Sequence, residues 1–491
     1  MQSNVDIIVI GYELPGLIAS SFLAKQGYRV LVIENGENEG TYECEGYLFA
    51  RPKPLVPRLS GLPHAQYIHR QLGLEATMEK ILDSSGRSFQ LLSDDYRLDV
   101  WTNGDAFNLE LEREFQEQKE TLQSALERLF RVDAEINGLL AALPFLPADG
   151  WRQRREFKQY ERQALKFSRD FLNNELEMVD DKVALGKSLR HLLRFFSRVD
   201  SNSPSVIHAV RAMCNFLRGT MGFVNADDSL EKYFADAAKN YGVEFVEQRV
   251  ASLDVGYGKV RRIVTEQTEY SANVVLLNTQ KNPISWITNK RALRKIEKDQ
   301  NIASAHGAWA LDIMLDASAL PSHLGDVAFH LPSRQEEEVF MLRVSPALDQ
   351  PSGENGEREA NNFKVLSLSG WTPAEDLSAI TPKARWELLA EQVECYAPFV
   401  SQHIACIASP IDILGEKGMA QETLYQFEAG TGTMGLGRTS LRSGLKNMLY
   451  CSGAVLPGLG MEGDYVCALA AVRSVLNMEQ PRWKPLRDLA H

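Results

Sequence analysis

The chain has 491 residues, 44% hydrophobic and 24% charged, the balance of an ordinary soluble protein long enough for two or three domains. A formal net charge of −12 argues against a nucleic-acid-binding role for the whole molecule. Six scattered cysteines without a C-x-x-C pair argue against a structural zinc site and for reduced thiols in a cytoplasmic setting. No apolar run reaches the roughly 18 residues needed to span a bilayer, and the N-terminus enters its first strand without a basic region, so no signal peptide is expected.

Val5 to Glu34 predicts strand, turn, helix and strand. Ile7 to Ile10 is a β-branched apolar run ending at Gly11, and Leu14, Leu17, Ile18, Phe22 and Leu23 recur at helical spacing. Gly27 stops the helix, and Val30 to Ile33 forms a second buried strand closed by Glu34 and Asn35. This is the pattern of a dinucleotide-binding βαβ unit, with an acid about 20 residues past the first glycine and placed for a ribose hydroxyl. The three glycine slots hold Gly11, Glu13 and Gly16. A carboxylate about 5 Å from a phosphate charge, at an effective dielectric of about 20, costs about 3 kcal/mol, or on the order of 200-fold in affinity. Pro15, beside Leu14, falls in the first helical turn, where its missing N–H is not needed.

A turn-rich stretch follows, with a short strand at Tyr47 to Phe49. Its Glu39-Gly40-Thr41 and Glu45-Gly46-Tyr47-Leu48-Phe49-Ala50 segments, after the βαβ unit, resemble the opening of the FAD-dependent amine oxidase and phytoene desaturase superfamily. The resemblance implies an FAD cofactor and a G-G-R segment after the ribose acid. The arginine of that segment is missing here, with Arg51 and Lys53 close enough in sequence to substitute for it.

From about Phe107 to Val199 the spacing predicts helices, Leu122, Leu126, Leu129, Ile136 and Leu140 marking one of them. Two further helices carry basic faces: Arg155, Lys158, Arg162, Lys166 and Arg169 on one, Lys187, Arg190, His191, Arg194 and Arg198 on the other. They read either as solvated faces, pairing in part with the acidic helix of Glu110, Glu112, Glu114, Glu117 and Glu120, or as a peripheral contact with anionic lipid.

The resemblance resumes at Gly222, with a helix over Leu230 to Asn240, a strand over Val243 to Val250, a hairpin at Gly256 to Gly258 and a strand over Ala272 to Asn278. It places the Val250 backbone at an adenine. From about Lys281 to Gly430 the chain alternates strand and helix without a nameable motif; Asp349 to Asn362 reads as a polar loop and Glu336 to Glu338 as a solvent-facing acid run. Near the end, Gly453, Pro457, Gly458, Gly460 and Gly463 precede a helix over Tyr465 to Leu476. In the superfamily the matching turn lies under a flavin ring, where glycines allow close backbone approach and a helix start offers N–H donors.

The expected fold is α/β: a Rossmann-like FAD-binding domain assembled from 1–75, 215–285 and 435–480, with an inserted, helix-rich α+β substrate domain from 76–214 and 286–434 and a tail over 481–491. The resemblance implies an FAD-dependent oxidoreductase of phytoene desaturase-like type, moving a hydride from a lipophilic or unsaturated small-molecule substrate to flavin N5, with an amine oxidase-type flavoenzyme as a variant. The eroded glycine motif keeps open a second class, a flavin-free binding protein with a protein partner, as in the Rab GDP dissociation inhibitors of the same superfamily. No catalytic constellation stands out. The nine histidines, His64 and His69 among them, show no metal spacing, and Cys44 and Tyr47 are candidates for the ring's surroundings that more often serve packing.

Overall fold

The computed structural model describes residues 3–36, 40–83, 86–142, 191–199, 206–279, 286–287, 303–332, 339–348, 363–373, 381–414, 423–426 and 440–479, with single positions at 146, 155, 162 and 376. The polar loop at 349–362, the acid run at 336–338, the tail at 481–491 and, of the two basic helical faces, Lys158, Lys166, Arg169, Lys187 and Arg190 lie outside the described residues.

Ser3–Ile10 is the central strand of the first sheet, flanked in parallel by Val30–Ile33 and by Glu269–Leu277. Beyond Val30–Ile33 the sheet continues in parallel with Glu244–Val246. Beyond Glu269–Leu277 it divides, taking Met448–Tyr450 in parallel and the antiparallel hairpin Val250–Gly256 with Lys259–Thr265. Strands covered on both faces read as unbroken apolar runs, and Ile7 to Ile10 and Val30 to Ile33 are all buried. Segments far apart in the sequence therefore share one sheet.

The helix Leu14–Lys25 is buried from Leu14 to Leu23 because the helices Leu230–Asn240 and Met461–Glu479 both pack on it. Two serines on it lie fully inside, their hydroxyls donating back to Gly16 O and Leu17 O. Leu230–Asn240 starts where its sequence predicts, with the Ser229 side chain accepting from Lys232 N–H. The strand expected over Val243 to Val250 is broken instead: Glu244–Val246 ends, the chain turns, and Val250 opens the next strand. The break follows from two main-chain bonds, Glu34 N–H to Val246 O and Asn35 N–H to Gln248 O, which hold that bend against the end of the second strand. At the hairpin tip Tyr257 and Gly258 both have positive φ, 53° and 74°, the geometry of a tight two-residue turn.

The second sheet has eight strands, almost all antiparallel, running from Ile404–Ala408 through Ala303–Asp316, Phe363–Pro373, Phe340–Pro346 and Val327–His330 to Arg87–Leu92 and Arg97–Trp101. One face packs on the helix Pro382–Tyr396 through Trp386, Leu389 and Val393. The helices Lys119–Ala142 and Val206–Leu217 lie against each other, and the final helix runs from Met461 to Glu479, longer at both ends than its apolar pattern predicts. The whole is a mixed α/β protein. No described helix is long and apolar enough to cross a membrane.

Candidate cofactor groove and adjoining cavity

The N-terminal turn is stapled by a residue from the end of a distant strand. Asn278, fully buried, accepts from Gly16 N–H at 2.9 Å and donates to Glu13 O at 2.8 Å. Gly11, at φ 107°, would place a Cβ 2.0 Å from Asn278 O, and Gly16 would place one 2.1 Å from the Asn278 side chain. Both glycines are thus demanded by close packing of the helix start on the strand Glu269–Leu277. The Pro15 ring sits in the first turn as expected, beside a buried Leu14.

Glu13 turns its carboxylate toward the other end of the chain: Gly453 N–H donates to Glu13 Oε2 at 3.3 Å. The two glycine turns therefore face one another. Glu34 and Asn35 are buried at the end of the second strand, and Asn35 Oδ1 accepts from Val250 N–H at 3.1 Å. The amide of Val250 is accordingly spent inside the protein. Burial and then the Glu34 charge push the Tyr12 phenol up.

At the C-terminal turn the glycines accommodate a segment that the sequence did not connect with it. A Cβ on Gly453 would lie 1.9 Å from Arg198 Nη1, and one on Gly460 would lie 2.5 Å from Phe196 O. Arg198 N–H donates to Pro457 O at 3.0 Å, and its guanidinium makes a two-pronged pair with Asp464, at 2.6 and 2.9 Å. Arg198 was expected on an exposed basic face. Its side chain instead retains 17% exposure and points inward to a carboxylate on the first turn of the last helix. Pro457 and Gly458 form a buried single turn of 3-10 helix, and a Cβ on Gly463 would lie 2.2 Å from Leu456 O.

The same helix start holds a second ion pair. Glu462 takes Arg211 Nε and Nη2 at 2.7 Å each, and Arg211 Nη1 donates to both Asp133 oxygens at 3.1 Å. All three side chains are no more than 1% exposed. Burial would raise the Glu462 carboxyl, but Arg211 and His64 beside it hold it down to about 2. The half-buried Glu231, near Asp464 and Arg198, is pushed up, chiefly by desolvation. Around Gly453 the turns bring Glu13 and Asp464 together with Arg198, which pairs with Asp464, and Glu231 lies near the last two.

A cavity of about 580 Å³ opens between the second sheet and the segments Ala50 to Lys53 and Thr220 to Ala226. Arg51, Lys53, Arg87, Arg343 and Lys364 line it, against two carboxylates, Asp83 and Asp326. The Lys53 ammonium donates to the main-chain oxygens of Ala226 and Asp228, and Arg343 Nη1 donates to Lys53 O at 2.6 Å. Burial, with Arg343 beside it, lowers Lys53 to about 8. Arg51 and Lys53, the expected substitutes for the missing arginine, therefore line this cavity.

Cys44 and Tyr47 serve packing: Cys44 lies by Cys406 and Ile407, and Tyr47 meets Phe363 edge to face. His69 is buried among Tyr233, Phe234 and Tyr465. Among the described residues no group of three His, Cys, Asp or Glu is placed to hold a metal ion, and the six cysteines are free thiols.

No family model matches the chain. It is 24% identical over 310 residues to a 1-hydroxycarotenoid 3,4-desaturase of Flavobacterium sp. (strain P99-3), covering 61% of this chain and 62% of that protein's length. It is 21% identical over 429 residues to a chloroplastic prolycopene isomerase of an Oncidium hybrid cultivar, covering 79% and 68%. Among solved structures, cyclohexylamine oxidase from Brevibacterium oxydans shares the fold with a TM-score of 0.56 at 13% identity, covering 97% of this chain and 99% of that one. In sequence and in fold, the chain is similar to the FAD-dependent amine oxidase and phytoene desaturase-like superfamily.

Proposed function

We propose that the protein is an FAD-dependent oxidoreductase of phytoene desaturase-like type, acting on a lipophilic or unsaturated small molecule. The observation that carries this reading is the meeting of the two glycine turns, joined by Gly453 N–H and the Glu13 carboxylate, with Glu34 buried at the end of the second strand. Likeness to a carotenoid desaturase and to an amine oxidase fold supports a flavin-type oxidoreductase.

On this reading the glycine turns and Glu34 would hold an extended dinucleotide. Glu34 would take ribose hydroxyls, and the turns of Gly11 to Gly16 and Gly453 to Gly463 would pass close to the diphosphate and the ring. When bound, FAD would supply the hydride acceptor, N5 of its ring. The chain's own part is to orient the substrate and exclude water, for which no strong acid or base is required. Glu13 is the residue that does not fit. For a diphosphate to use Gly453 N–H, the Glu13 carboxylate has to leave it.

That contact favours a second reading, a flavin-free binding protein on the same scaffold. Glu13 on Gly453 N–H, Asn35 on Val250 N–H and Arg198 packed against Gly453 are contacts made within the protein. Purification separates the two. A yellow protein whose colour is released by denaturation supports the enzyme, with Glu34→Ala expected to lose flavin; a colourless protein that FAD cannot reconstitute supports the binding protein.

A further inference from the structure

The cavity beside Lys53 and Arg343 carries the opposite charge to the molecule around it. In a chain of net charge −12, five cations and two carboxylates line one open cavity of about 580 Å³. They come from separate stretches: Arg51 and Lys53 follow the strand Tyr47–Ala50, Arg87 opens Arg87–Leu92, Arg343 lies on Phe340–Pro346 and Lys364 on Phe363–Pro373. Folding thus gathers charges that no single helix face or sequence run presents. Lys53 and Arg343 lie side by side, and Asp227, Asp228 and Glu231 offset the Lys53 charge only in part, burial and Arg343 outweighing them. Lys53 and Arg343 are held in that position by rigid main-chain bonds, the first to Ala226 O and Asp228 O, the second to Lys53 O. The ammonium also lies 4.8 Å above the Phe223 ring.

The rest of the wall is mixed, with Ser88, Thr220, Asn225, Ser345 and Ser367 beside apolar side chains. Phe89, Met221, Phe223, Val344, Phe363 and Val365 contribute the apolar part. Apolar side chains beside converging charged groups can take both ends of an amphipathic small molecule.

We infer that this cavity binds a molecule with an anionic head group, carboxylate or phosphate, on an apolar body. Arg343 and Lys53 take the head, Arg51 and Arg87 add to the field, and the aromatic wall takes the body. The inference deepens the proposed function by giving its substrate a charge, and rests on that reading only in calling the ligand a substrate.

Direct binding tests it, on the purified full-length chain and whether or not that chain is yellow, so failure of the flavin reading leaves the result interpretable. Equilibrium dialysis with oleate, oleyl phosphate and oleyl alcohol is expected to show the acids binding at least about tenfold more tightly than the alcohol, the worth of one charge-assisted hydrogen bond. The preferred acid identifies the head group. Arg343→Gln should lower binding of the acids toward that of the alcohol and leave the alcohol unchanged, while Arg343→Lys retains the preference. Because Arg343 also bonds Lys53 O, Lys364→Gln on the exposed rim serves as a second variant, with a smaller loss of the same sign. Equal binding of acid and alcohol, or acid binding that neither Gln variant alters, overturns the inference.

Discussion

The acidic site around Gly453 and the basic cavity differ in how their charge is built. At the acidic site, Glu13, Glu231 and Asp464 come from the turns and helix starts that define the fold, and Arg198 is drawn in from elsewhere to pair with Asp464. In the cavity, five cations from four stretches of chain converge with two lining carboxylates. A carboxylate on Gly453 N–H opposes a diphosphate at that place; a cavity lined with cations invites an anion. The difference teaches that ligand selection in this chain follows local charge and not the net value, which has the same sign as the acidic site and the opposite sign to the cavity.

The largest expected effect tests the acidic side. Arg211→Met leaves Glu462 and Asp133 as buried carboxylates without their shared cation, and should lower the unfolding free energy by about 3–5 kcal/mol in a denaturant titration. An effect within experimental error would mean that water reaches the start of the last helix. Next in size, Glu13→Gly removes the carboxylate from Gly453 N–H and should raise flavin affinity by on the order of 200-fold, about 3 kcal/mol. Unchanged affinity would show that Glu13 swings away at no cost.

A third prediction concerns the wall behind the cavity. Burial raises Asp312 to about 6, while Tyr42 Oη donates to it at 2.5 Å. The folded protein therefore keeps this proton in a range where the unfolded chain has lost it. Stability should fall as pH rises from about 4 to about 6, by about 2–3 kcal/mol. Asp312→Asn should flatten that dependence and raise the melting temperature at neutral pH. The smallest effect belongs to Lys53, lowered to about 8. Anion binding should weaken as pH rises through that value, by up to about tenfold, and Lys53→Met should abolish the dependence.

Local pattern made the first third of this account legible. Val30–Ile33 and Leu230–Asn240 fall where their sequences put them, because a buried strand and a capped amphipathic helix are written in consecutive residues. Val243 to Val250 misled because its bend is imposed by Glu34 and Asn35, two hundred positions earlier. The acids Glu462 and Asp464 stood within the glycine motif, yet their partners Arg211 and Arg198 lie 251 and 266 residues away. Arg198 even read as part of an exposed face. The cavity had no signature at all, since only the second sheet, whose strands carry no motif, brings Arg343 and Lys364 to the segment of Lys53.

The central claim is that two distant turns form one flavin site despite Glu13. The visible spectrum of the purified full-length protein, native and denatured, beside that of Glu13→Gly, tests it most directly. The account predicts released flavin from the wild type and fuller occupancy in the variant. Both proteins colourless after incubation with FAD would contradict it.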